Sequence, residues 1–344
     1  MSVVTGYRIR AWGEDPVWEQ FERTPPRAGE AVVAVDACGV GLTVLNAIQG
    51  DLTDDRATLP RVPGHELVGR VVETGAGVAT DLVGRLVAAY FYLSCGSCPE
   101  CLAGEDNRCR RLAGYVGVHL DGGYGSVVTL PARNLIPMPD GLDPIAATVV
   151  PDAVATPVHI CRNRARVGPG DRIAVVGAGG GVGMHLIQVA QVFGAEVAGL
   201  DLSIEKLSAI EELGAIPVRV DDFNTLDPVL FRQGRPTIVV DLVGSRLSLA
   251  WAAQAVATGG RVVVMTTFRD VVAEFDPRRM VMTEAAILAS RYASRHEVEL
   301  AGQLVASGRV KPIIGLTTDP GGAPEIHRRL RDRTLVGRGA LVWS

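Results

Sequence analysis

From about residue 171 the hydrophobic positions settle into an alternation: a short β-branched run, a turn rich in glycine or aspartate, then apolar residues at helical spacing. The runs at 172–176, 196–201, 217–220, 237–242, 261–266 and 286–289 read as strands. Six strands with helices between them predict a doubly wound parallel six-stranded sheet, an α/β fold. Residues 1 to about 135 follow another pattern, with β-like runs at 7–12, 31–37, 67–74, 85–90 and 126–130 broken by glycine, proline and acidic turns. That spacing predicts an antiparallel, β-rich domain. A helix over 246–258 stops at Gly259-Gly260, and Ser294-Arg-His-Glu297 is a capping box for a helix whose apolar face is Val298, Ala301, Leu304 and Val305. A short helix at 324–333 and a strand at 340–343 return the chain to its first domain.

The first strand of the alternating region runs into Gly177-Ala-Gly-Gly180-Gly181-Val182-Gly183 and then a helix with Leu186, Val189, Ala190 and Phe193 on one side. Gly177, Gly180 and Gly183 suit a tight turn, a close approach to a pyrophosphate and close helix packing, while first-turn N–H groups, those of Gly181 and Val182 among them, face the phosphates. Asp201, 18 residues after Gly183, closes the next strand where a carboxylate accepts hydrogen bonds from an adenosine ribose. The competing reading is a flexible loop in another α/β domain.

Composition narrows the partners. With 344 residues and 47% hydrophobic content the chain has material for two domains. Lys and Arg number 34 against 38 Asp and Glu, a net −4 without a basic block, so nucleic acid and anionic membrane are not expected and a small-molecule substrate is. The first ten residues lack an apolar signal-peptide core, and the most apolar stretch, 173–200, is broken by glycines, His185, Gln188, Gln191 and Glu196. A cytoplasmic protein without a membrane span is the expectation.

Cys95, Cys98, Cys101 and Cys109 form C-x2-C-x2-C-x7-C. Four thiolates at this spacing can close tetrahedrally on one zinc ion, an iron–sulfur cluster being the competing metal. Sulfur in all four positions leaves none for substrate, so the zinc is expected to be structural.

In order along the chain, Ala37-Cys-Gly-Val, Gly64-His-Glu66, the cysteine lobe, Asp121-Gly-Gly-Tyr-Gly, the glycine loop, Val240-Asp-Leu-Val-Gly244, Ala257-Thr-Gly-Gly-Arg-Val, Gly308-Arg-Val-Lys-Pro312 and Val336-Gly-Arg338 resemble the zinc-type medium-chain dehydrogenase/reductase family, the alcohol dehydrogenase superfamily. The resemblance implies a GroES-like β-rich catalytic domain at 1–153 with a zinc lobe at about 91–112, a Rossmann NAD-binding domain at 154–295, and a helix and return to the catalytic domain at 296–344. It also implies an active site in the cleft between domains and a homodimer or homotetramer. By the same resemblance Asp201 and Lys206 meet the adenosine ribose and favour NAD(H) over NADP(H). Thr156 lies beside the nicotinamide, and Arg338 meets the pyrophosphate.

The chain departs from the family where the catalytic zinc is bound. Family members with that zinc read C-G-x-C-G-T-D-x-x-H, whereas here Cys38-Gly-Val-Gly41-Leu-Thr43-Val44-Leu-Asn46 puts Gly41 at the cysteine ligand, Val44 at the aspartate that orients the ligand histidine, and Asn46 at the relay histidine. His65, Glu66 and Asp152 remain, a set of imidazole and carboxylates that can still hold a divalent metal. Without one, Thr43, Asn46 and His65 are the hydrogen-bonding candidates and His65 or Asp152 the proton carrier. The expectation is an NAD(H)-dependent oxidoreductase acting on an alcohol, carbonyl or activated C=C substrate without the usual zinc. A zinc alcohol or polyol dehydrogenase with a rearranged ligand set, and a dinucleotide-binding protein without turnover, are the alternatives. A plain hydrogen-bonded pair of His65 and Asp152 is the bland reading of the cluster.

Overall fold

The computed structural model describes residues 3–266 and 271–343. The chain divides into two compact units, one comprising 1–152, 293–308 and 314–344, the other 153–292 and 309–313.

The first unit is built on a seven-stranded sheet. Its order is Ile314–Thr318, Arg338–Val342, Glu30–Val40, Glu66–Thr74, Leu86–Ala89 and Leu135–Pro137, with Val127–Pro131 also paired to Glu30–Val40. Apart from the parallel pair formed by the first two, its ladders are antiparallel. Ile9, Val33, Leu67, Val71, Tyr124 and Leu130 fill the core beneath it. The long central strand Glu30–Val40 matters most for the site, because its register sets Gly39 opposite Glu66 and Val40 opposite Gly339. Three distant stretches of sequence thereby converge at one sheet end.

The second unit holds the expected parallel sheet, ordered Ile216–Arg219, Glu196–Asp201, Arg172–Val176, Ile238–Asp241, Arg261–Val264 and Ala286–Ala289. The strand order reverses at Arg172–Val176, whose neighbours are the second and fourth strands in sequence. In such sheets the crevice beyond the carboxyl ends at the reversal is where ligands bind. The glycine loop leaves the sheet there.

Two elements lie elsewhere than the pattern predicts. The strand expected at 7–12 is Val3–Arg8, because Gly6 is not a breaker. A Cβ on Gly6 would stand 2.4 Å from Tyr124 O, so the missing side chain lets two backbones pass closely. The helix expected to reach 258 ends at Ala255, where Val256 turns extended. Among the described residues one helical run, Pro144–Arg164, is long and apolar enough to cross a membrane, yet 78% of it is buried within the protein, the condition of a core helix.

Candidate functional site

In the second unit, the loop from Gly177 to Gly183 shows which glycines the fold needs. Gly177 has φ +79°, a left-handed conformation that side chains disfavour. Gly183, in the first turn of helix Gly181–Val192, lies so close to Ala178 that a Cβ would meet its carbonyl oxygen at 2.5 Å. Gly179, not singled out in the sequence, is equally constrained: a Cβ would stand 2.5 Å from Lys206 Cδ and 2.8 Å from Asp201 Oδ2. Its signal is visible only once the next strand and helix are folded over the loop. By contrast, a Cβ on Gly180 would have only Gly177 O nearby, at 3.6 Å.

Asp201 is tied in place from three sides. Oδ2 accepts from Gly179 N at 2.9 Å, and Oδ1 accepts from Leu202 N at 2.8 Å and Ser203 N at 3.3 Å. Lys206 is buried and lays its alkyl stem over Gly179. Thr156 is buried within helix Ala155–His159. His185 shares a hydrogen bond with Gly181 O at 2.6 Å and accepts from Ile313 N at 3.1 Å.

In the first unit the four cysteine sulfurs converge. Sγ–Sγ separations are 3.4 Å for Cys98–Cys101, 3.8 Å for Cys98–Cys109 and 4.0 Å for Cys95–Cys101. A tetrahedron with ~2.3 Å zinc–sulfur bonds has edges of ~3.8 Å, so the donor set fits one zinc ion. Backbone N–H groups of Ser97 and Cys98 point at Cys95 Sγ, at 3.5 and 3.3 Å, and Cys95 N points at Cys109 Sγ at 3.2 Å. The Ser97 amide leads in drawing the Cys95 thiol down to about 5, which favours the thiolate that a metal binds.

The second cluster forms where strand Glu66–Thr74 begins. His65 and Glu66 are buried, and Asp152 reaches them from a π-helical turn, Val150–Val154. His65 Nε2 is 3.6 Å from Asp152 Oδ2 and 3.7 Å from Glu66 Oε1, and its ring lies 4.3 Å from that of Phe91. Among the described residues that nitrogen has no hydrogen-bond partner, and its approach to Asp152 is at ion-pair distance, not hydrogen-bond distance. Burial pushes the Glu66 carboxyl up to about 7, against the lowering influence of Arg338.

Arg338, which the resemblance assigns to a pyrophosphate, lies inside this cluster. Nη2 donates to Asp152 Oδ2 at 2.8 Å and stands 2.8 Å from Glu66 Oε1. The side chain is 6% exposed. Thr43 and Asn46 stand one turn apart and half-buried on helix Leu42–Gln49, while Val44 faces the core. Cys38 is no substitute ligand. Its sulfur lies in the core, where a Cβ on Gly64 would be 2.9 Å away, and burial raises its pKa well above the usual thiol range.

The potential ligand atoms of His65, Glu66 and Asp152 lie within 4.8 Å of one another, a span that a metal could bridge. The same two carboxylate oxygens already face the Arg338 guanidinium. A divalent ion on them would have to displace that charge or repel it at contact distance.

Comparison with known proteins finds matches along the chain. Residues 27–140 match the family described as alcohol dehydrogenase GroES-like domain, and 181–307 match zinc-binding dehydrogenase. An alcohol dehydrogenase of Geobacillus stearothermophilus is 31% identical over 94% of both chains. An acryloyl-coenzyme A reductase of Metallosphaera sedula is 28% identical over 98% of this chain and 96% of its own. The crystal structure of AibC superposes with a TM-score of 0.89 at 30% identity, covering 99% of this chain and 96% of that one.

Proposed function

Because the chain belongs to the zinc-type medium-chain dehydrogenase/reductase family, the alcohol dehydrogenase superfamily, and is an NAD-type oxidoreductase of that family, we propose that it moves hydride between NAD(H) and a small organic alcohol, carbonyl or activated C=C substrate without a cysteine-anchored catalytic zinc. The observation that carries this reading is the absence of sulfur from the His65–Glu66–Asp152 cluster: position 41 is glycine and Cys38 is turned into the core.

The bound cofactor supplies or takes up the hydride. The chain's own residues do the rest. N–H groups of the loop and of Gly181 and Val182 receive the pyrophosphate. Asp201, fixed by three backbone N–H groups, presents its charge to the ribose and disfavours a 2′-phosphate there. His65 keeps a free Nε2 to give or take a proton, beside the carboxylate of Asp152. Thr43 and Asn46 offer hydrogen bonds to a substrate oxygen.

Without a Lewis acid a plain ketone loses several kcal/mol of help at the developing alkoxide. A C=C bond conjugated to a carbonyl needs less, and the acryloyl-coenzyme A reductase among the relatives supports that substrate class. The test is an α,β-unsaturated aldehyde or thioester with NADH. Saturated product supports ene reduction, allylic alcohol supports carbonyl reduction, and no hydride transfer, either from NADH to enals, enoyl thioesters and ketones or from alcohols to NAD+, overturns the reading. The spacing of His65, Glu66 and Asp152 favours one second reading, a zinc dehydrogenase with a rearranged ligand set. That reading requires turnover to be lost on chelation and restored by zinc.

A further inference from the structure

Gly41 has φ −129° and ψ −178°, an extended conformation open to any residue. Glycine is therefore not needed there for backbone reasons. What glycine leaves is room for Arg338: a Cβ at position 41 would stand 1.8 Å from Arg338 Nη1 and 2.6 Å from Cζ, so any side chain there must displace the guanidinium. Gly39, two residues earlier and within strand Glu30–Val40, leaves room for Glu66 in the same way, since its Cβ would stand 2.4 Å from Glu66 Oε2. Two glycines thus clear space at the end of strand Glu30–Val40, and a carboxylate and a guanidinium fill it.

We propose that Arg338 is the resident cation of this pocket, admitted by Gly41, and that it holds Glu66 and Asp152 in place of a metal ion. The inference rests on the proposed metal-free hydride transfer and says what replaces the metal. Nη2 meets one oxygen of each carboxylate, as a shared cation would, and the ion pair is buried on the Glu66 side to 0% exposure. Two carboxylates side by side, Glu66 fully buried and Asp152 13% exposed, need compensation, and an unpaired buried charge is costly. A guanidinium supplies that charge permanently, since it does not deprotonate in proteins. It cannot be chelated away. It also leaves His65 Nε2 free as a proton carrier instead of a ligand. Arg338 is in this sense a positioning residue and the determinant of metal exclusion.

The test is metal uptake by full-length variants equilibrated with zinc and freed of excess. Wild type is expected to keep about one zinc per chain, in the four-cysteine lobe. Arg338→Met uncovers two carboxylates and an imidazole and is expected to take up about two. Gly41→Ala adds only a methyl group, which ligates nothing but overlaps Nη1, and it too should rise above wild type. Arg338→Lys keeps a cation and should stay near one. Cobalt loaded at the new site should lack the sulfur-to-cobalt charge-transfer band of the cysteine lobe, which identifies where the extra ion sits. If Arg338→Met does not fold, Gly41→Ala decides alone. A second metal ion in wild type, or folded Arg338→Met and Gly41→Ala proteins that both stay at one, overturns the proposal. Failure of the function reading appears separately, as absent NADH turnover in chelator-washed wild type.

Discussion

Single alanines along the glycine loop separate what the fold needs from what the ligand needs. In Gly183→Ala the new methyl meets the carbonyl oxygen, carbonyl carbon and Cα of Ala178 at 2.5–2.7 Å, all backbone atoms that cannot swing aside. Overpacking of this kind costs ~1–3 kcal/mol. For a unit of this size that is a fall in Tm of roughly 4–10 °C. Gly179→Ala meets the flexible stem of Lys206 and the Asp201 carboxylate, and it strains the Gly179 N–H bond to that carboxylate. Part of the strain relaxes through Lys206, so the Tm falls less. Asp201 is displaced, and NADH affinity should drop by roughly tenfold, about 1.4 kcal/mol. Gly180→Ala encounters nothing closer than 3.6 Å within the protein, so its Tm should match wild type within about a degree. If the backbone at 180 approaches the pyrophosphate, its methyl intrudes on the ligand alone, and NADH affinity should fall by roughly tenfold or more, about 1.4 kcal/mol. Differential scanning calorimetry and NADH titration by fluorescence read the two quantities independently. A Gly180→Ala protein as destabilised as Gly183→Ala, or one that binds NADH like wild type, would refute the assignment.

Other consequences can be checked as directly. Replacing Asp201 with Ser should erode a preference for NADH over NADPH of about two orders of magnitude, since a carboxylate near a 2′-phosphate is worth several kcal/mol of repulsion before solvent screening. His327, buried against Tyr124 with their polar atoms 2.8 Å apart, has its pKa lowered by burial, and secondarily by Arg331, to about 4. Depressed below its unfolded value of 6.5, it contributes stability present above pH 6.5 and lost as pH falls through about 4, up to about 3 kcal/mol in all. Urea unfolding should show that loss in wild type and not in His327→Gln. In Cys98→Ser one zinc donor is gone, and the variant should lose its bound zinc together with several kcal/mol of stability, read as metal content and Tm.

Legibility of the molecule from its sequence followed the range of the interactions. The six parallel strands could be read because each is a compact β-branched run closed by its own turn. The glycine loop could be recognised for the same reason. The importance of Gly179 could not, since its constraint comes from Lys206 and Asp201, more than twenty residues away. The cysteine lobe was legible because its four sulfurs lie within 15 residues. At the candidate catalytic centre Gly41 itself could be read, but the residue it lies against could not. Arg338 stands 297 positions after Gly41 and reaches it only through the pairing of Gly339 with Val40. The register of the sheet is what brings that arginine to Glu66 and Asp152.

The central claim is that hydride transfer here proceeds with an arginine where a metal would stand. Its most direct test is zinc content and NADH turnover measured on the same chelator-washed protein. The account predicts about one zinc per chain, in the cysteine lobe, with turnover undiminished. About two zinc ions before washing, with turnover lost as the second is removed and regained when zinc is returned, would contradict it.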